Sequence, residues 1–169
     1  MTETIRIRPA RTSDVAAIKT LVAPLAAQRI MMAKETVAYY ESLQEFLIAE
    51  SPDGEVIGCG ALHVMWEDLA EVRTLATSDA WRGKGVGHLL VERLLEEARA
   101  LGVARVFCLT FEVDFFKRHG FEVMADQTAV DPAVYSELLR SHDEGVAEFL
   151  DLARVKPNTL GNTRMIKAL

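Results

Sequence analysis

The sequence predicts an α/β (α+β) fold, a mixed central sheet flanked by helices, and three observations carry that expectation. Leu69–Leu101 reads as a strand, a glycine-rich turn and an amphipathic helix in succession. Ala104–Phe111 (ARVFCLTF) is a nearly continuous apolar run of the kind found in central parallel strands buried on both faces. Strand and helix signals alternate in the order β, α, α, β, β, β, α, β, α, β. No repeat, low-complexity run or linker interrupts the 169 residues, so one domain spanning 1–169 is expected, long enough to bury a core.

Each element has a local reason. Ile5–Arg8 alternates apolar and basic residues, an opening strand that Pro9 stops. Thr12–Ser13–Asp14 offers capping side chains to a helix carrying Val15, Ile18, Leu21 and Val22, which Pro24 ends or bends. Ala26–Met32 is apolar without a period, and Lys34–Gln44 reads as a second helix. Phe46–Glu50 and Glu55–Trp66 are strands joined through Pro52–Asp53–Gly54, a hairpin turn. Glu67–Asp68 turns the chain into the strand Leu69–Thr77. In the long helix Leu89, Leu90, Val91, Leu94, Leu95 and Ala98 recur at helical spacing, and Leu101–Gly102 closes it. Val113–His119 is a short helix and Gly120–Ala125 a strand. Asp131–Pro132 starts a helix over Ala133–Arg140, and Val146–Ala153 and Thr163–Leu169 read as closing strands.

Composition narrows the partners. Half the residues are apolar and 26% are charged, ordinary for a globular protein. A net charge of −6 argues against a nucleic-acid partner, since phosphate backbones are met by basic surfaces. No apolar run reaches membrane-spanning length and the start, MTETIRIRPA, has no signal-peptide core, so no membrane association and a cytoplasmic location are expected. Cys59 and Cys108 sit in apolar strand runs and read as small buried hydrophobes, with no disulfide and no metal site.

The turn Arg82–Gly83–Lys84–Gly85–Val86–Gly87 is the chemically informative stretch. Its glycines admit backbone conformations closed to other residues and let a ligand approach closely. Because the turn opens a helix, free N–H groups and the helix dipole converge there, and Arg82 and Lys84 add positive charge: the pattern suits a phosphate. The P-loop pattern fails for want of a Gly-Lys-Ser/Thr at the right distance, and the spacing G-x-G-x-G is not that of a dinucleotide fingerprint.

R-x-x-G-x-G, Arg82 to Gly87, resembles the signature with which GNAT acetyltransferases hold the pyrophosphate of acetyl-CoA. The segment Phe115–Phe116–Lys117–Arg118–His119–Gly120–Phe121 resembles the stretch of that superfamily in which a short helix packs against the CoA arm. The resemblance implies acetyl-CoA as co-substrate, no metal, and cofactor contacts from Leu75, Ala76, Thr77, Arg82, Gly83, Lys84, Gly85, Val86, Gly87, His88, Phe115 and Phe116.

Three further patches narrow it. Pro24–Leu25 with Gln28, Gly58–Cys59–Gly60–Ala61–Leu62 and Val106–Phe107–Cys108–Leu109–Thr110 resemble the acetyltransferase domain of bacterial N-acetylglutamate synthases. The tail, Gly145–Asp151 through Lys156–Pro157–Asn158 and Gly161–Asn162–Thr163–Arg164, resembles the short actinobacterial type, without the amino-acid-kinase-like domain of the long enzymes. The implied reaction moves acetyl to the α-amine of glutamate, the first step of arginine biosynthesis, with the same reaction on glutamine or another amino acid, or a CoA-sensing module without turnover, as alternatives.

Acetyl transfer from a thioester to an amine needs a deprotonated amine, a polarised carbonyl and a leaving thiolate. The resemblance places the polarising backbone N–H at Leu75 and Ala76, with the pantetheine arm admitted where the strands Leu69–Thr77 and Ala104–Phe111 splay apart. Glu71 is the candidate base, sharing a face with Arg73, Leu75 and Thr77 if the strand alternates strictly. A structural ion pair with Arg73 is its competing role, and His63 is the second candidate base. The tyrosine that serves many GNAT enzymes as acid is replaced by Phe116, so Thr110 is expected to hydrogen-bond the sulfur, unless it is an ordinary strand threonine. An amino-acid substrate carries carboxylates that want cations or amide donors, for which Lys34, Arg73, Lys156, Asn158, Asn162, Thr163 and Arg164 are the candidates. The apolar segments Phe149–Leu152 and Met165–Leu169 suggest a homodimer edge.

Overall fold

A computed structural model describes residues 4–32, 34–125, 130–158 and 161–169, with Pro157 and Asn158 described by their backbone alone. Along the chain come β1 (Arg6–Pro9), α1 (Val15–Ala27), α2 (Thr36–Glu41), β2 (Phe46–Glu50), β3 (Val56–Trp66) and β4 (Leu69–Thr77). Then follow α3 (Val86–Leu101), β5 (Arg105–Thr110), α4 (Val113–Arg118), β6 (Glu122–Val123), α5 (Pro132–Leu138), α6 (Glu144–Phe149) and β7 (Thr163–Ala168). The described strands form one seven-stranded mixed sheet in the order β1-β2-β3-β4-β5-β7-β6. The chain divides into two compact units, residues up to His63 with Val72–Ala100, and Val64–Glu71 with Leu101–Leu169.

In the first unit β1, β2 and β3 run antiparallel, and the β2–β3 turn closes through Ser51 N donating to Glu55 O at 2.8 Å. Gly54 supplies the turn's positive φ of 84°. Val15, Ile18 and Val22 of α1 pack with Tyr39, Phe46, Ile48, Cys59, Ala61 and Ala76. Asp14 does not cap α1 with its side chain. It accepts from both terminal nitrogens of buried Arg8, at 2.8 and 2.9 Å, while Arg8 Nε donates to Glu50 at 2.8 Å. The Arg8 guanidinium holds the Asp14 carboxyl below the usual carboxylate range. Pro24 does not end α1, which runs on to Ala27 before Arg29 takes a left-handed φ of 57°. The expected helix over Lys34–Gln44 is only α2, followed by a 3₁₀ turn over Leu43–Glu45.

In the second unit the start of β4 pairs in parallel with β5, Leu69 to Arg105 and Glu71 to Phe107. Met65, Leu69, Phe107, Leu138, Val146 and Phe149 form its core, with the Phe107 and Phe149 rings edge to face at 5.5 Å. Val146–Ala153, expected as a strand, is α6 followed by a turn. Asp143 caps α6, accepting from Val146 N at 3.1 Å, and that local bond selects helix over strand. β7 lies between β5 and β6, and Phe149 sits in α6, so neither segment proposed as a dimer edge is an edge of the sheet. The strand expected over Gly120–Ala125 shortens to β6.

Candidate active site

β4 carries site candidates in both units, and its backbone is not uniformly extended. Thr74 adopts φ +56°, a left-handed conformation that β-branched residues strongly resist. Strict two-residue alternation from Glu71 to Thr77 is therefore broken. Leu75 reaches toward α3, while Ala76 lies in the cluster around α1. The Thr74 carbonyl accepts from Cys59 Sγ at 3.4 Å, and burial pushes that thiol up to about 12, which keeps it protonated as the donor. Arg73 and Thr77 are half-buried.

The turn after β4 is built by short-range bonds. Ser78 N donates to Ile57 O at 2.8 Å, anchoring the end of β4 to β3. Trp81 N donates to Ser78 O, and Lys84 N to Trp81 O at 3.2 Å. Gly83 and Gly85 have φ of 78° and 86°, and a Cβ built on either meets nothing within 4 Å. Leu89 N makes the first α-helical bond of α3, to Gly85 O at 3.1 Å, so the N–H groups of Val86 and Gly87 precede it at the helix mouth. Arg82 pairs with Asp79 at 2.9 Å, and Lys84 lies 4.9 Å from the centre of the Trp81 ring; the turn Gly83–Lys84–Gly85 is solvent-accessible. His88 is half-buried in the first turn of α3. Open space over two left-handed glycines, N–H groups at a helix mouth and flanking cations fit a pyrophosphate.

Lys34 is exposed on the segment before α2. His63 Nδ1 hydrogen-bonds the Glu45 carboxylate across the β2–β3 side of the same unit.

The second unit holds the remaining candidates. Glu71 is only 3% exposed and lies opposite Phe107 in the parallel register. Burial, and after it the Glu71 charge, pushes the neighbouring Cys108 thiol well above its ordinary value. Thr110, 8% exposed at the end of β5, accepts from Glu112 N at 2.8 Å and stands opposite Thr163 of β7. The hydroxyl thus also helps to set the start of α4, the ordinary structural role weighed against it. Phe115 is half-buried, whereas Phe116 is buried with its ring 5.1 Å from that of Phe121, as a core side chain.

The tail is less uniform than its sequence. Arg164 Nε donates to Glu148 O at 3.0 Å and its Nη2 to Phe149 O, so the guanidinium closes the last turn of α6. Lys156 pairs with Asp151 at 3.4 Å on an exposed turn, and Asn162 and Thr163 are half-buried. The Asn158 side chain lies outside the described residues. Gly161 packs so closely on Phe111 that a Cβ there would stand 3.0 Å from the ring. Two contributors had no assigned role in the sequence reading: Trp81, legible from its three-residue spacing to Lys84, and Gly58, whose neighbours are set by tertiary packing.

Among the described residues no helix is long and apolar enough to cross a membrane, and no three His, Cys, Asp or Glu side chains are grouped to hold a metal. Comparison with known proteins gives the family. The Acetyltransferase (GNAT) family model matches residues 19–121. An amino-acid acetyltransferase of Mycobacterium tuberculosis is 55% identical over 165 residues, 96% of this chain and 94% of its own. An uncharacterized N-acetyltransferase of Chlorobaculum tepidum is 37% identical over 116 residues, 69% of this chain and 74% of its own. The crystal structure of Rv2747 from M. tuberculosis, in complex with CoA and NLQ, matches with a TM-score of 0.92 at 55% identity, covering 97% of this chain and 99% of that one. N-acetylglutamate synthase of Neisseria gonorrhoeae, complexed with coenzyme A and N-acetyl-glutamate, shares the fold with a TM-score of 0.77 at 23% identity, over 98% of this chain and 35% of that one. The family model spans more than half of the chain and the M. tuberculosis relative nearly all of it: the chain belongs to the GNAT family of acetyltransferases.

Proposed function

We propose that this chain is an amino-acid N-acetyltransferase that moves the acetyl group of acetyl-CoA to the α-amine of L-glutamate, the opening reaction of arginine biosynthesis. The observation that carries this reading is 55% identity, along nearly its whole length, to a protein named amino-acid acetyltransferase. The likeness of its tail and strand segments to N-acetylglutamate synthases favours glutamate among the amino acids. The mouth of α3 and the turn Arg82–His88 take the pyrophosphate.

Glu71 takes a proton from the substrate ammonium, directly or through one water. The neutral nitrogen attacks the thioester carbon, whose oxygen is held by a backbone N–H at Leu75 or Ala76. The C–S bond then breaks, and the second proton of the acylated nitrogen passes to the departing thiolate or to water. A thiol has a pKa of about 8.5, so the sulfur leaves with only a hydrogen bond to support it. Thr110 is suited to give that bond: its oxygen already accepts from Glu112 N, which leaves the O–H proton to donate. The candidates for meeting the substrate carboxylates are Lys34, Arg73, Lys156, Asn162 and Thr163, with Arg164 a candidate whose two carbonyl bonds give it a second role.

The test is thiol release from acetyl-CoA across the twenty amino acids, with wild type and Glu71→Gln. Glutamate should be the best acceptor, and Glu71→Gln should lower kcat by roughly 10²–10⁴-fold while CoA affinity stays normal. A glutamine preference would move the substrate assignment by one functional group. Tight CoA binding without release toward any amino acid would replace the enzyme by a CoA sensor.

A further inference from the structure

β3 presents Gly58 and Gly60 on one face, two residues apart, while Cys59 and Ala61 face the α1 cluster on the other. A ridge of α3 lies over the glycine face. A Cβ built on Gly58 would stand 2.8 Å from Val86 Cγ1, 3.1 Å from Leu90 Cδ1 and 3.2 Å from the Ala76 carbonyl oxygen. One built on Gly60 would stand 3.1 Å from both Leu94 Cδ1 and Leu75 Cδ1. Val86, Leu90 and Leu94 are four residues apart, a single helical ridge seated along two missing side chains.

The two seats differ in what could yield. At Gly60 both neighbours are ends of leucine side chains, which can rotate. At Gly58 one neighbour is backbone and another is a valine, whose branch at Cβ keeps a methyl close to the backbone in every rotamer. An added methyl there has no cheap escape. It must lift the first turn of α3 or push the end of β4, and Val86 directly follows Gly85 at the helix mouth.

The geometry points to Gly58 as a positioning residue for the cofactor: the absence of a side chain there fixes the height of the α3 mouth relative to the end of β4, and with it the N–H groups that meet the pyrophosphate. This rests on the acetyl-CoA reading above. Gly58 touches no ligand itself and acts through Val86 and Ala76. Misplacing a ligand-holding array by about 1 Å can cost on the order of 10²-fold, so a contact this tight has a measurable consequence.

The experiment measures CoA affinity by calorimetry for wild type, Gly58→Ala, Gly60→Ala, Val86→Ala and Gly58→Ala/Val86→Ala, with thermal unfolding run beside it. Gly58→Ala should weaken CoA roughly tenfold or more and raise the KM for acetyl-CoA more than it lowers kcat. Gly60→Ala should lower thermal stability while the folded protein keeps its CoA affinity. Removing the Val86 methyls clears the tightest of the three contacts, so the double variant should recover most of the affinity of Val86→Ala alone. That last comparison stands even where Gly58→Ala folds too poorly to assay: a folded double variant still tenfold weaker than Val86→Ala overturns the proposal. So does a folded Gly58→Ala that binds CoA like wild type. Wild type that binds no CoA would instead remove the cofactor reading, and this inference with it.

Discussion

The turn Trp81–His88 and the tail Asp151–Arg164 look alike as sequence: glycine or proline beside basic and polar residues, between apolar elements. In the folded chain they differ in where their cations are directed. Arg82 and Lys84 lean on partners three residues away, Asp79 and Trp81, at an exposed corner of the first unit. Arg164 is turned onto the Glu148 and Phe149 carbonyls, some fifteen positions earlier in the chain. A helix start gathers donors and so attracts an anion; a helix end gathers acceptors and so draws in an arginine. On the proposed reading, the same residue type borders a ligand site in one place and forms a structural tie in the other, according to which helix end it meets.

The strongest way to break this contrast is Gly85→Val. At φ +86° a valine is strained by about 1–3 kcal/mol, which the turn sheds only by leaving the conformation it now holds. CoA binding should weaken by roughly 5–150-fold, read by calorimetry on protein shown to be folded. Wild-type affinity in that variant would mean the turn is no cradle, and the two segments would then be alike after all.

Arg164→Ala sharpens the other side. Hydrogen bonds from a charged donor contribute about 1.5–3 kcal/mol each, and losing them exposes the end of α6. The variant should unfold at lower denaturant by about that free energy, with KM for glutamate and for acetyl-CoA little changed. A stable Arg164→Ala enzyme with a sharply raised KM for glutamate would return this arginine to the substrate side, as the sequence had suggested.

Arg164 shows what one chain can disclose. β4 was legible to the residue, Leu69–Thr77, because apolar pattern and turn signals bound it on both sides. The turn after it was legible because its chemistry is local. The left-handed Thr74 was not, since nothing about a threonine between Arg73 and Leu75 announces a break in the strand. Nor was α6. Val146, Ala147 and Phe149 make a run too short to separate strand from helix by period, and the deciding Asp143 cap is one bond. Arg164 and Gly58 depended on neighbours brought in by tertiary packing, which spacing along the chain does not encode.

The smallest effect on stability is expected at Lys156, and it decides whether the tail touches substrate at all. Its pair with Asp151 is long, at 3.4 Å, and the two side chains are 57% and 41% exposed. Such pairs contribute about 0–1 kcal/mol, so Lys156→Ala should shift thermal unfolding hardly at all. Stability being nearly silent, kinetics become clean: any rise in KM reports substrate recognition and not damage to the fold. A lysine acts as a point charge, without the fork that fixes a carboxylate in two places, so its removal should weaken glutamate by several-fold rather than abolish the reaction. The KM for acetyl-CoA should not move. If both constants stay at wild type, Lys156 is part of the scaffold, and carboxylate recognition falls to the other proposed residues, Lys34, Arg73, Asn162 and Thr163.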